Sequence, residues 1–471
     1  MSMAAAELAA LWKLTGGETA ALQQVSLTGE EPALPGIYNV GVQAQASIAA
    51  SALAAAEIHR ARGGPAQEVG LAMRDAAISF RSEGYLRVND VKVRMAFDPI
   101  HGFYKCGDGG WVQVHGNFPQ HRVGAVELLH CAYSRAGVQR VFDGMAAADV
   151  EELFAANMLP IGRMRPEGEW DAHPQAKALD AQPVIILEKI GEADPRPLPP
   201  AGERPLQGLK VLDLTKVIAG PVCGRTMAEH GAEVLQITAG HMAHAMPLVI
   251  DSNRGKRSAF LDLRKEANIA HLLSLAADAD IFVQGYRPGT LASRGLAPEN
   301  LAALYPGIVY VSLSAFGHQG PWAHRRGFDS IVQTCSGIGH AGGQAADVDG
   351  MHHLPCQALD HASGYLMAFG GMMARLKQAR EGGSWLVRVS LARTGRWLQS
   401  LGKQDALDLH DPELEDVQDM IEDYGQTPFG HLRGVKPAAR LSVTPGYWAT
   451  KSVPPGYHCL LYTSDAADEI V

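Results

Sequence analysis

The 471-residue chain has no run of about 18 apolar residues, so no segment reads as a membrane span. It has no long basic run and a net charge of −9, which argues against nucleic acid as the main partner. Its opening, Met1-Ser-Met-Ala-Ala-Ala-Glu-Leu, lacks the basic and apolar regions of a secretory signal. The six cysteines (Cys106, Cys131, Cys223, Cys335, Cys356, Cys459) show neither CxxC nor metal-ligand spacing and fit reduced thiols in a cytoplasmic protein. His241-x-x-His244 and His352-His353 lack carboxylate or cysteine companions, so no metal is expected.

What is present is α/β texture. Lys210 to Leu214 is an aliphatic strand, Ala219-Gly220-Pro221 a turn, and Cys223 to His230 a helix stopped by Gly231. A sharp strand-to-helix turn at the end of a parallel strand is where open α/β sheets bind ligands, and helix N–H groups there suit an anion. Gly-x-Gly-x-x-Gly is missing from the turn, so the usual dinucleotide fingerprint is absent. Further strands are expected at 233–237, 258–263, 280–285 and 308–313, with helices at 221–230, 267–278, 298–304 and 361–380. The alternation predicts an open, mostly parallel sheet covered on both faces. Met367, Met372 and Met373 lie at helical spacing and read as core fillers.

Five prolines mark 190–208 as an extended linker. Before it the texture changes. Ala44 to Arg62 is an Ala-rich helix, Gly102 to His115 a hairpin around Gly107-Asp108-Gly109-Gly110, and helices follow to about 182. The expected division is a helical segment at 1–84, a smaller α+β domain at 85–189, the linker, an α/β domain at 209–400 and an extension at 401–458. Residues 459–471 stand apart, because Cys459-Leu-Leu-Tyr-Thr-Ser-Asp-Ala-Ala-Asp-Glu469 back-translates to a sequencing adapter. The unit Gln45–Arg62, Gly63-Gly64, Val69–Ala72 echoes Gly364–Arg380, Gly382-Gly383, Val389–Ala392 at an offset of 318 to 320, as a partial internal duplication would.

Six blocks, in order, resemble the class III (CaiB/BaiF-type) CoA-transferases: Leu209–Ala232, Asn253–Leu263, Ala279–Gly289, Val309–Pro321, Gly327-Phe328-Asp329 and Leu359–Gly364. The resemblance covers roughly 206–395 and implies a Rossmann-like sheet, transfer of CoA from an acyl-CoA to a carboxylic acid, and an interlocked homodimer. It makes Asp360, at the start of a long helix, the nucleophile that forms an aspartyl-acyl anhydride and then an aspartyl-CoA thioester. A free Asp is ionised at pH 7 and needs no general base. From spacing alone, a helix N-cap is the commoner fate of an Asp before a helix. Ser363-Gly364 suggests close backbone approach of the substrate.

For CoA, the resemblance points to Ile218 and Ala219, Asn253, Lys256 and Arg257, Gln284-Gly285-Tyr286-Arg287, Arg326 and Asp329. Arg287 could instead be structural. Thr238-Ala239 stand where the family has a Glu and often a basic residue, and the small domain usual after residue 400 is missing, so 85–185 could replace it. A closing glycine-rich loop has only Gly107–Gly110 as a candidate, which reads more simply as a turn. In the first copy no Asp or Glu lies between Glu31 and Glu57, so Gly41 or Val42 takes the place of Asp360. The alternatives are an α-methylacyl-CoA racemase, disfavoured because Phe328 replaces its histidine, and a non-catalytic CoA-binding paralogue.

Overall fold

A computed structural model describes residues 1–458 and 460; the adapter-like segment from Cys459 otherwise lies outside the described residues. The long helix α1 (Val40–Ala61) is buried on nearly every side. Its alanines leave no polar face, so it can serve only as a core helix. It begins four residues before the sequence-based expectation, because the Glu31 carboxylate accepts the N–H of Val42 at 2.8 Å and caps the first turn.

A small lobe follows. Strands β1 (Gly102–Lys105), β2 (Trp111–Val114) and β3 (Ile161–Arg163) form an antiparallel sheet over Tyr104, Val112, Phe142 and Phe154. Gly107–Gly110 is the β1–β2 hairpin turn. Asp108 accepts from Gly110 N at 3.0 Å and from Ala147 N at 3.1 Å, which ties the turn to its own lobe.

The large sheet contains β4 (Ile186–Gly191), β5 (Lys210–Leu214), β6 (Glu233–Thr238), β7 (Lys256–Phe260), β8 (Ile281–Gln284), β9 (Val309–Ser314) and β10 (Ser384–Ser390). Its order is β7-β6-β5-β8-β9-β10-β4, parallel except for the edge strand β4. Side-chain alternation gives each face its own core. Leu212, Leu235, Phe282 and Tyr310 pack on one side. Val211, Val234, Val283 and Val311 pack on the other, beneath α2 (Ala219–Glu229) and, beyond the short helix α3 (Asp329–Cys335), α4 (Ala358–Glu381). Met367, Met372 and Met373 are buried there.

Strand β7 lies two to three residues earlier than expected. The Lys256 side chain is drawn beneath α2, and the Asp262 carboxylate accepts from Arg264 N at 3.1 Å in a turn that ends the strand region. From Glu192 onward the proline-rich segment has no helix or strand, yet it is no free linker. Arg62 donates to the carbonyls of Pro199 and Gln207, both at 2.8 Å, and Arg375 to Arg196 at 3.0 Å and Pro197 at 3.1 Å. Strand β4 precedes that segment in sequence but completes the large sheet. The core running from Ala4 to Leu441 likewise joins α1 to α4, so residues 1–84 pack as part of the larger body. Among the described residues no helix is long and apolar enough to cross a membrane.

Candidate functional site

The sheet order reverses direction between β5 and β8, the position where open α/β sheets bind ligands beyond their carboxyl ends. The turn after β5 passes through Val217, whose φ of +77° is a costly conformation for a β-branched residue. Across the gap, Gln284 at the end of β8 holds the neighbouring turn. Its Oε1 accepts from Tyr286 N at 2.7 Å and its Nε2 donates to Ser312 Oγ at 2.6 Å. Between the two turns opens a cleft of about 160 Å³, lined among others by Ile218, Ala219, Gly285, Tyr286 and Asp360.

Lys216, Arg287 and Arg326 line the same cleft. Their charges are not fully neutralised. Burial, then Arg326, pulls the Lys216 amine below its usual range, and burial, then Arg287, does the same to Arg326. Arg326 lies 3.5 Å from His121 Nε2, and burial, then Arg326, pulls that imidazole down to about 3. Like charges crowded around a gap suit a polyanion.

Asp360 sits at the third position of α4 and is 6% exposed. It is not the cap. Asp329 performs that task, its Oδ2 accepting from Asp360 N at 2.9 Å and its other oxygen from Gln333 Nε2. Among the described residues no hydrogen-bond donor reaches the Asp360 carboxylate, which lines two cavities at once. Burial, then Asp329 and Glu83, pushes its carboxyl well above the usual carboxylate range. Asp329 is pushed up to about 6, chiefly by burial, with its hydrogen bonds opposing. The folded environment therefore disfavours the charged form of Asp360 relative to a free aspartate.

The second cavity, about 550 Å³, lies on the other side of Asp360 and reaches the small lobe. Its walls include Phe103, His115, Phe328 and His353. Phe328 stacks on His115 with ring centroids 3.7 Å apart. Burial, then the neighbouring imidazoles, holds His115 far below the usual histidine range, so it is neutral at pH 7.

Several residues implied by the resemblance converge here: Ile218, Ala219, Gly285, Tyr286, Arg287, Arg326 and Asp360 line the cleft. Gln284 stands behind it as a support, and Asp329 faces the second cavity. Asn253, Lys256 and Arg257 line neither cavity. Asn253 is fully buried and donates to Val453 O at 3.2 Å. Lys256 is also fully buried, 2.9 Å from Asp213 Oδ2 and 2.7 Å from Pro221 O. Held there, it braces α2 against β5. Arg257 lies next to it on β7, away from the cleft.

Gly364 has a different role from the one expected. A Cβ there would meet Ala219 O at 2.5 Å and Val222 Cβ at 2.7 Å, so the missing side chain lets α2 approach α4. Ser363 is buried, 2.8 Å from Thr394 Oγ1. Lys216 and the rings of the small lobe were absent from the sequence-based site. Lys216 was legible as the residue just beyond a strand bounding the ligand turn, whereas no spacing links His115 to Asp360.

The two long helices start alike. N-cap residues Asn39 and Gln357 have φ/ψ of −75°/63° and −77°/61°, placing Val42 where α4 has Asp360. Glu31 meets the N–H of Val42 as Asp329 meets that of Asp360.

Residues 206–430 match the profile of CoA-transferase family III. This segment belongs to that family. The chain is 36% identical over 215 residues to acetyl-coenzyme A transferase nodX of Hypoxylon pulicicidum, covering 44% of this chain and 36% of that one. It is 32% identical over 210 residues to the probable fatty acyl-CoA transferase Rv3272 of Mycobacterium tuberculosis, covering 42% and 53%. It is also 33% identical over 195 residues to the succinyl-CoA:glutarate CoA-transferase of Mus musculus, covering 39% and 44%. The matched stretch thus spans between 36% and 53% of the length of these relatives. A crystal structure of Rv3272 aligns with a TM-score of 0.39 at 30% identity, over 42% of this chain and 58% of that one.

Proposed function

We propose that the chain moves CoA from an acyl-CoA to a carboxylic acid, with Asp360 as the covalent nucleophile on a Rossmann-like sheet. One observation carries the reading. A buried carboxylate that no hydrogen-bond donor reaches among the described residues stands where a cation-lined cleft meets a ring-lined cavity. The cleft offers Lys216, Arg287 and Arg326 to the phosphates of CoA, and the cavity takes the acyl group.

In this reading Asp360 attacks the thioester carbonyl, expelling CoA thiolate and forming a mixed anhydride. The thiolate then attacks the aspartyl carbonyl, releasing the first acid and leaving an aspartyl-CoA thioester. The acceptor carboxylate attacks that thioester, forming a new anhydride and freeing CoA thiolate again. The thiolate finally takes the acyl group, and Asp360 is regenerated. Cations entering with or lining the cleft favour the ionised Asp360 at the moment it is needed.

The paired helix starts support reading α1 as a decayed second copy of the catalytic helix, with Val42 in place of the nucleophile. Homodimerisation belongs to the same reading, and sedimentation velocity of the full chain checks it. The function is tested by incubating the protein with acyl-CoAs and hydroxylamine, then locating the adduct by peptide mass spectrometry. A hydroxamate on Asp360, absent from Asp360→Ala, is expected. CoA binding without any trapped adduct or exchange would instead favour a non-catalytic CoA-binding protein.

A further inference from the structure

The ring-lined cavity narrows the choice of acid. Four rings form a continuous track from solvent to the nucleophile. Phe97, 66% exposed, stacks on His101 at 5.3 Å; His101 meets His115 edge-on at 5.0 Å; His115 stacks on Phe328 at 3.7 Å. Phe328 directly precedes Asp329, and it lines both cavities together with Asp360. Phe103 and His353, in edge contact at 5.1 Å, also line the cavity.

The charges in this cavity have one sign. Asp360, Asp329 and Glu83, the last 3.1 Å from His361 Nε2, line it, and among the described residues no Lys or Arg does. Its imidazoles add no positive charge at neutral pH, since burial draws His101 and His353 down to about 4. Arg94 and Arg122 line an adjoining cleft of about 380 Å³, where Arg122 is already 3.1 Å from Asp98. A second carboxylate on a short acid would therefore enter a negative cavity with no cationic partner among its described lining residues, which is costly. A flat apolar body would instead meet ring faces and edges.

We propose, building on the transferase reading, that the acid handled at Asp360 is a monocarboxylate with an aromatic body, and that short dicarboxylates are excluded. The ring track holds the aryl group while the single carboxyl reaches Asp360.

Isothermal titration of the full chain with 3-phenylpropionate and with glutarate tests this without requiring turnover. The aromatic acid should bind at least about tenfold more tightly, because glutarate adds an unpaired charge. Phe97→Ala, at an exposed position that the fold does not depend on, should remove about fivefold to tenfold of the aromatic affinity. Equal affinities, tighter glutarate binding, or no saturable binding of the aromatic acid would overturn the proposal. Glutarate binding abolished by Arg94→Gln would overturn it too, by assigning a dicarboxylate site. A parallel transfer assay with 3-phenylpropionyl-CoA and glutaryl-CoA separates the two levels. Preferential aromatic binding with no transfer from any ester leaves the pocket standing and removes the transferase reading. Efficient transfer from glutaryl-CoA removes the substrate class and leaves the transferase.

Discussion

The backbone N–H of Asp360 donates to Oδ2 of Asp329 at 2.9 Å, so one carboxylate caps α4 and leaves the other free of that duty. Both are buried at the same helix start, and each raises the cost of ionising its neighbour. The helix amino terminus offsets part of that cost.

Asp360 therefore makes the protein less stable as pH rises. Its carboxyl binds a proton more readily folded than unfolded, so stability falls as pH climbs from about 4 through the raised folded value. Asp360→Asn should abolish transfer yet raise the melting temperature at pH 8. The gain should fade towards pH 4. Differential scanning calorimetry across pH checks it, and a lowered melting temperature at pH 8 would contradict the assignment.

Under the proposed mechanism transfer should fall as pH drops, because the attacking group there is the carboxylate. Asp329→Asn keeps an oxygen that can accept the Asp360 N–H but removes the adjacent charge, so the acidic limb of kcat/KM should move to lower pH. An unmoved limb would show that the two groups titrate independently.

Lys256→Met should act on stability, not on CoA affinity. It leaves Asp213 buried without its ion-pair partner, a loss of about 3–5 kcal/mol. Denaturant unfolding gives the loss, and the KM for acyl-CoA of the remaining folded protein should stay near wild type. A large KM increase with normal stability would return Lys256 to the CoA site.

Arg326→Ala and Lys216→Ala should raise the KM for acyl-CoA about tenfold each, with a smaller change in kcat, since a phosphate contact is made in both ground and transition states. Added salt should shrink the penalty. Whichever variant becomes indifferent to removal of the ribose phosphate, tested with dephospho-CoA esters, is the one that contacts it.

Gly364→Ala should destabilise by about 1–3 kcal/mol, because the new methyl collides with the Ala219 carbonyl and pushes α2 from α4. The same shift displaces the turn of Ile218 and Ala219, so activity should fall with stability. An unaffected melting temperature would show that the helices can separate at little cost.

Much of the large sheet was legible in the sequence because a parallel strand buried on both faces must be aliphatic and short, and the turns must carry Gly or Pro. Lys210–Leu214, Ile281–Gln284 and Val309–Ser314 follow that pattern closely. The edge strand Ile186–Gly191 was not legible as part of the sheet. It precedes the proline-rich segment, and its pairing with Ser384–Ser390 spans nearly two hundred residues.

What the sequence determined by itself was local: the strand-to-turn-to-helix unit at 210–229, the long helix with Asp360 in its first turn, and the absence of any Asp or Glu between Glu31 and Glu57. These follow from backbone preference and side-chain period, which act over a few residues. Which charges face the cleft was decided by tertiary structure. Lys256 and Lys216 look alike in sequence, but a buried Asp213 claims the first and the cleft receives the second. The elevated carboxyl of Asp360 and its wall of rings from the small lobe likewise arise only when distant segments exclude water from a common space.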